Sequence, residues 1–408
     1  MTSVTSVTQT TQTPLRGNRE FRLLWIGQGL SEFGSSMTGL ALPLVLLAAG
    51  YPPSVVGLLG TVIIVVNLAF RVPGGYLADH FDQRRLMVIC DVVRLVSVAA
   101  VAVCVFLGPL PLALALAVVV VSGAAVEVFR PSQAKVLRRV VPVDQLTQAF
   151  SLNQARAYGA SIVAPAAAGV LFAVASWVPF AIDTVTFGLS LLCIVMLARE
   201  RVHDVQLTRT TRERFLPEFV AGWRHLVKDR FLRTSSVYFS LLNVTFSALS
   251  YALVLGAASQ PGGAATVGVA MSSAAAAGLI GSLIAPAVSR RLSLRTLLAA
   301  GPIISAALLA VAWSGAGVIP FVAAFSALCL LTPIIGAMLA TIMAKAVPEE
   351  IYGRVTAAVT FVSQALQPFG PLAAGILLTH MSFGATAGLF AVTLGALALL
   401  ALALPTSG

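Results

Sequence analysis

The chain has 408 residues, of which 58% are hydrophobic and only 10% are Asp, Glu, Lys or Arg. An average soluble domain is about 25% charged, so a water-soluble enzyme, a nucleic-acid binder and a disordered chain are excluded together. The 41 charges are absent from long stretches, of which residues 234–289 and 355–408 are the longest. Each can hold two apolar helices of about 20 residues and a turn, so the chain reads as a polytopic all-α membrane protein. The net charge of +11 is then a matter of loop orientation and not of nucleic-acid binding.

In chain order, residues 1–20 form a polar tail rich in Thr, Ser and Gln. The apolar stretch that follows is too long for a signal-peptide core and lacks a clear cleavage site, so it reads as a retained first helix. Apolar runs broken by Gly and Pro predict twelve spans, at 21–49, 54–78, 86–107, 110–130, 146–175, 178–198, 234–257, 263–289, 296–314, 317–345, 355–379 and 383–404. Residues 21–198 and 234–408 make two six-helix bundles, and residues 199–233 link them. In the linker Phe215, Phe219, Trp223, Leu226 and Val227 recur at helical spacing among charges, as in an amphipathic helix on a membrane surface. Of 26 Lys and Arg residues, 23 fall in the tail, the linker and the even-to-odd loops, and none in the other set of loops. The positive-inside rule places the basic side, with both termini, in the cytoplasm. The expected location is the cytoplasmic membrane.

A shift of 206 residues brings the halves into one register. It pairs Gly75 with Gly281, Arg84 and Arg85 with Arg290 and Arg291, Pro142 with Pro348, Pro165 with Pro371, and Gly169 with Gly375. Parallel repeats of six helices are the architecture of secondary transporters whose site lies at the repeat interface.

The loop between helices 2 and 3 reads GYLADHFDQRR over residues 75–85. It resembles the loop signature of the major facilitator superfamily at Gly75, Asp79, Arg84 and Arg85, and departs from it at His80, Asp82 and Gln83. Asp82 stands where the family has glycine, and Asp tolerates the left-handed backbone expected there. Residues 164–169 (APAAAG) and 370–375 (GPLAAG) are similar to the family's fifth-helix exporter signature. Residues 18–25 (NREFRLLW), 31–34 (SEFG), 129–131 (FRP) and 347–354 (VPEEIYGR) resemble the branch that includes macrolide-efflux and enterobactin-export proteins. The resemblance covers residues 18–404. It implies a proton-coupled antiporter that works as a monomer and exports a drug-like or secondary-metabolite molecule. An importer or a substrate sensor of the same fold is the alternative. It also implies that residues 75–85 gate the inner side.

Ionisable residues inside a bilayer are costly and mark functional candidates. Glu32, Arg71, Asp91, Arg94, Glu127, Arg156 and Asp183 lie within the spans, all in the first half. Asp91 and Arg94, three apart, are expected to pair, and Asp183 to be a satisfied helix-end carboxylate. Glu127 is expected to pair with the 79–85 loop or with Arg156. Glu32, Arg71, Glu127 and Arg156 are the proton-coupling candidates. Glu32 lies roughly 16 Å along helix 1, on a polar, small-residue stripe with Gln28, Ser31, Ser35 and Gly39, and Arg71 is its expected counter-charge if it is structural. Asn243, Phe246, Ser247 and Tyr251 of helix 7 and Gln364 of helix 11 complete the expected substrate cavity. No nucleophile–base set, P-loop, cofactor motif or metal-ligand spacing occurs, so the chain is expected to be neither an enzyme nor a metal protein.

Overall fold

A computed structural model describes residues 15–198, 223–260 and 262–404. Every regular element among them is helical. They are α1 (Arg19–Ala48), α2 (Pro53–His80), α3 (Gln83–Leu107), α4 (Leu112–Val140), α5 (Leu146–Val174), α6 (Val178–Val195), α7 (Arg230–Ala258), α8 (Gly263–Val288), α9 (Leu294–Val311), α10 (Val318–Ala346), α11 (Glu349–Gln364), α12 (Phe369–His380) and α13 (Phe383–Leu402). The halves α11 and α12 form one broken span, so twelve segments are long and apolar enough to cross a membrane. The loops fall at two ends. One carries the arginines and lysines and is called here the basic end; the other is the uncharged end.

Side-chain caps fix several helix starts. Asn18 accepts from the Phe21 amide and donates Nδ2 to the Val140 carbonyl, so it also pins α1 to the end of α4. Asp82 accepts from the Arg85 amide at 3.0 Å, with φ −59°. It is therefore a helix N-cap and does not take the left-handed turn expected at this position.

The fourth span does not stop at residue 130. It runs on to Val140, so Lys135, Arg138 and Arg139 sit on helix and not in a loop. Pro131 lies inside it and cannot donate to the Glu127 carbonyl, four residues back. Gly74 of α2 packs on that same carbonyl, where any side chain would collide. The missing bond is thus accommodated by close helix packing instead of by a helix end.

The eleventh span breaks where Pro368 and Pro371 each delete an i→i−4 bond. The freed carbonyls of Gln364 and Gln367 take tighter bonds from Gln367 N and Gly370 N, both 3.1 Å. The equivalent fifth span has Pro165 alone and stays continuous.

Residues 223–228 are helical, and Leu226 is buried with Met343, Val347, Val355 and Val359. This end of the linker packs on the basic ends of α10 and α11, and Trp223 meets Phe361 edge-on. Leu226 thus faces the protein, while Val227 of the same stretch is exposed. Phe215 and Phe219 lie outside the described residues.

Candidate functional site

The two halves meet mainly through their uncharged ends. Gly57 of α2 sits on the Pro371 carbonyl of α12, and Gly375 sits on the Pro53 carbonyl of α2. In the second interlock Gly268 of α8 sits on the Pro165 carbonyl of α5, and Gly169 sits on the Ala264 carbonyl. Pro165 and Gly169 are the 206-residue partners of Pro371 and Gly375, so the repeat builds the same backbone contact twice. Hydrogen bonds reinforce both. Ser54 N donates to Thr379 Oγ1 at 3.2 Å, Thr61 Oγ1 to the Pro368 carbonyl at 2.7 Å, and Ser272 Oγ accepts from Ala166 N at 3.0 Å.

Below this seal, towards the basic end, lies a cavity of about 700 Å³ between α1, α5, α7, α8 and α10. Its walls are mostly apolar, with Leu40, Pro43, Phe246, Met271 and Phe325, and carry Ser36, Tyr158, Ser161, Ser250, Tyr251 and Thr332 as polar points. Tyr251 lies flat enough on Gly60 of α2 that a side chain there would meet its ring. A second cavity of about 430 Å³ lies inside the second half. It shares Phe246 and Thr332 with the first and is lined by Asn243, Thr356, Thr360, Ser363, Gln364 and Gln367. Beside the broken span, Asn243 Nδ2 donates to the Ser363 carbonyl at 2.9 Å.

Of the cavity candidates, Phe246 and Tyr251 line the first cavity, and Asn243, Phe246 and Gln364 line the second. The other four candidates do not. Gln28 and Ser31 are buried, and Ser35 accepts from Arg94 Nη2 at 2.8 Å. Ser35 thus faces α3. Ser247 is buried against Gly370 of α12. The cavity face of α1 is instead Ser36, Gly39, Leu40 and Pro43, one turn beyond Glu32. Of the polar stripe, Gly39 lines the cavity while Ser35 bonds a neighbouring helix, since serines serve equally as lining and as interhelical glue. The spacing of Glu32, Ser36, Gly39 and Pro43 was the signal available.

The charged residues pair differently from expectation. Arg156 Nη2 of α5 lies 3.2 Å from Glu32 Oε1, and its Nη1 donates to the Trp25 carbonyl at 3.2 Å. The counter-charge of Glu32 is Arg156 and not Arg71. Gly29 makes this possible, because a Cβ there would press on Arg156 Cδ at 3.2 Å. Arg156 is 7% exposed and Glu32 38%, so the acid is the more open partner. Glu127 Oε2 is 3.8 Å from Arg71 Nε, and its Oε1 is 4.0 Å from Arg130. It does not reach the 79–85 loop or Arg156, because it sits on the face of α4 that α2 covers. Arg71 also donates to Gln364 Oε1 at 3.0 Å, across the two halves. In the loop signature, Asp79 pairs with Lys135 of α4, Arg84 binds the Ile194 and Val195 carbonyls of α6, and Arg85 pairs with Asp82. Gly75 has open space around it. All these partners belong to the first half. Asp91 pairs with Arg94 at 3.9 Å, and Asp183 is buried and bonded to Thr38 and Thr186.

A sequence profile of the Major Facilitator Superfamily matches residues 24–368. The chain belongs to this superfamily. It is a multi-pass membrane protein of a transporter family. No functionally curated protein matches it. Solved structures share its fold at low identity. The nucleoside transporter NupG is 12% identical, with 94% of this chain and 98% of that one covered and a TM-score of 0.74. A bacterial homologue of the iron transporter ferroportin in an inward-facing state is 14% identical, with 96% and 98% covered and a TM-score of 0.69. A bacterial homologue of the lysosomal transporter Spinster, inward-facing and unoccupied, is 13% identical, with 96% and 94% covered and a TM-score of 0.65. These neighbours share the fold of this chain.

Proposed function

We propose that the chain is a proton-coupled antiporter that exports an amphiphilic, drug-like small molecule across the cytoplasmic membrane as a monomer. The observation that carries this reading is the central cavity, sealed at one end by paired glycine–carbonyl interlocks, with the Glu32–Arg156 ion pair one turn along α1 from Ser36 of its lining. The charge rule makes the basic end cytoplasmic, with the termini and the linker, so the described state faces inward. The division into bundles 21–198 and 234–408 gives two bodies that rock about the cavity. Apolar walls with scattered hydroxyls suit a large amphiphile, and this also supports the resemblance to drug and metabolite exporters.

Coupling follows from competition at Glu32. With Glu32 ionised, Arg156 is neutralised. When a proton occupies Glu32, the buried guanidinium loses its partner, at a cost that bound substrate or a changed helix packing must offset. A cationic group entering from the basic end would favour the ionised acid and displace the proton. The 79–85 loop would act in the outward-facing state, where the basic ends of the halves close on each other.

The test is Glu32→Gln in proteoliposomes, with Glu32→Gln/Arg156→Gln as a charge-balanced companion. The companion keeps the test usable if a lone Arg156 impairs folding. Both should lose accumulation driven by a pH gradient and keep substrate exchange at equal pH. Gradient-driven accumulation at the wild-type rate in either variant would remove Glu32 from the coupling reaction. Import, the alternative direction, would show as gradient-driven uptake towards the side bearing the linker.

A further inference from the structure

Two carboxylates and one guanidinium are enclosed between α1, α3 and α6, away from the central cavity. Asp91 is 0% exposed, Asp183 1% and Arg94 8%. Asp183 is held by hydroxyls, with Thr38 Oγ1 donating to Oδ2 at 2.6 Å and Thr186 Oγ1 to Oδ1 at 3.2 Å. Asp91 Oδ2 accepts from Ser190 Oγ at 2.7 Å. Its other oxygen, Oδ1, is buried with no hydrogen-bond donor, and its nearest cation is Arg94 Nη1 at 3.9 Å. The Arg94 guanidinium donates to Ser35 and lies 4.2 Å over the Phe187 ring. It acts electrostatically on both acids. Cys90 of α3 and Arg130 of α4 are the other ionisable groups acting on it. Arg130 is 71% exposed and already pairs with Glu127, so it does not neutralise a second acid.

The charge count is therefore two acids to one base, in an interior that water does not reach. One guanidinium offsets one carboxylate. A second ionised carboxylate without a cation is the arrangement that buried sites avoid. Glu32–Arg156 is balanced one to one, and Glu127 has two arginines.

We infer that the Asp91–Arg94–Asp183 cluster is a proton-binding site, holding one proton for its two carboxyl groups and distinct from the Glu32–Arg156 pair. The cluster is also wired to the substrate cavity. Ser35 and Thr38 of α1 bond Arg94 and Asp183, while the adjacent Ser36 and Gly39 line the cavity. A displacement of α1 by substrate therefore alters two of the hydroxyl bonds that hold the cluster. This inference stands on the buried charge count and does not need Glu32 to couple transport.

Infrared spectroscopy of the full chain in lipid nanodiscs tests it, through the C=O stretch of a protonated carboxylic acid that moves in D2O. Wild type at neutral pH should show one such group. Asp91→Asn and Asp183→Asn should each abolish it, because either leaves one acid balanced by Arg94. Glu32→Gln should retain it. Both asparagine variants should melt no earlier than wild type, whereas Arg94→Leu, with two acids and no cation, should lose folded yield. Absence of the band in wild type would overturn the inference, and this decides the matter even if a variant fails to fold. Survival of the band in either asparagine variant would overturn the charge count, and its loss in Glu32→Gln would place the proton on the other pair and overturn the inference. The infrared signal is read without transport, so its failure is separable from failure of the antiport reading.

Discussion

The paired interlocks at the uncharged end make a sharp prediction about the resting conformation. Gly57 and Gly268 occupy equivalent places, each with a proline carbonyl and a glycine Cα of the other half against it. An alanine Cβ at 57 would stand 3.1 Å from Gly375 Cα, and one at 268 would stand 3.2 Å from Gly169 Cα, with the proline oxygens closer still. Carbon pairs rest at about 3.5–4.0 Å, and the obstructing atoms are backbone, which cannot rotate away. The halves must part locally, at an overpacking cost of about 1–3 kcal/mol per site. Only the state sealed at this end bears that cost. Each substitution should therefore raise the ratio of open to sealed molecules at this end by roughly 5- to 150-fold. The two sites use different helix pairs, so Gly57→Ala/Gly268→Ala should combine nearly additively. Spin labels at Pro109 and Ser314, in uncharged-end loops of opposite halves, report the opening by electron–electron distance measurement in a background lacking Cys90, Cys104, Cys193 and Cys329. Gly159→Ala, where a Cβ meets nothing within 4 Å, is the control and should leave the distances unchanged. If Gly268→Ala gave the wild-type distance distribution, the contact would not be what holds this end shut.

Two further outcomes follow. Asp79→Asn should lower transport in an efflux assay with little effect on melting, because the Asp79 and Lys135 side chains are 61% and 36% exposed and such pairs contribute at most about 1 kcal/mol; unchanged efflux would count against the 79–85 loop as a gate. A cysteine replacing Ser289, at the basic end of α8, should react with an impermeant maleimide only after cells are broken, and labelling of intact cells would reverse the assigned orientation.

Much of the architecture was legible because a bilayer imposes a one-dimensional constraint. Apolar runs must be helical and about 20 residues long, so the twelve spans follow from where charges are absent, and the repeat follows from Pro165–Gly169 recurring as Pro371–Gly375. Helix ends at prolines were less legible. Pro131 reads as a stop, but Gly74 of another helix covers its freed carbonyl, whereas Pro368 and Pro371 together do break their span. The ion pairs were least legible of all. Glu32 could meet Arg71 or Arg156 by depth alone, and it is the side-chain-free surface at Gly29 that lets Arg156 approach. Gln28, Ser31 and Ser35 turned inward for the same kind of reason, since a polar helix face is satisfied equally by a cavity or by a neighbouring helix. Sequence determines which residues lie at membrane depth and on which helix. Rotation about each helix axis, and with it the partner of every buried charge, is decided by packing between helices that are distant in the chain.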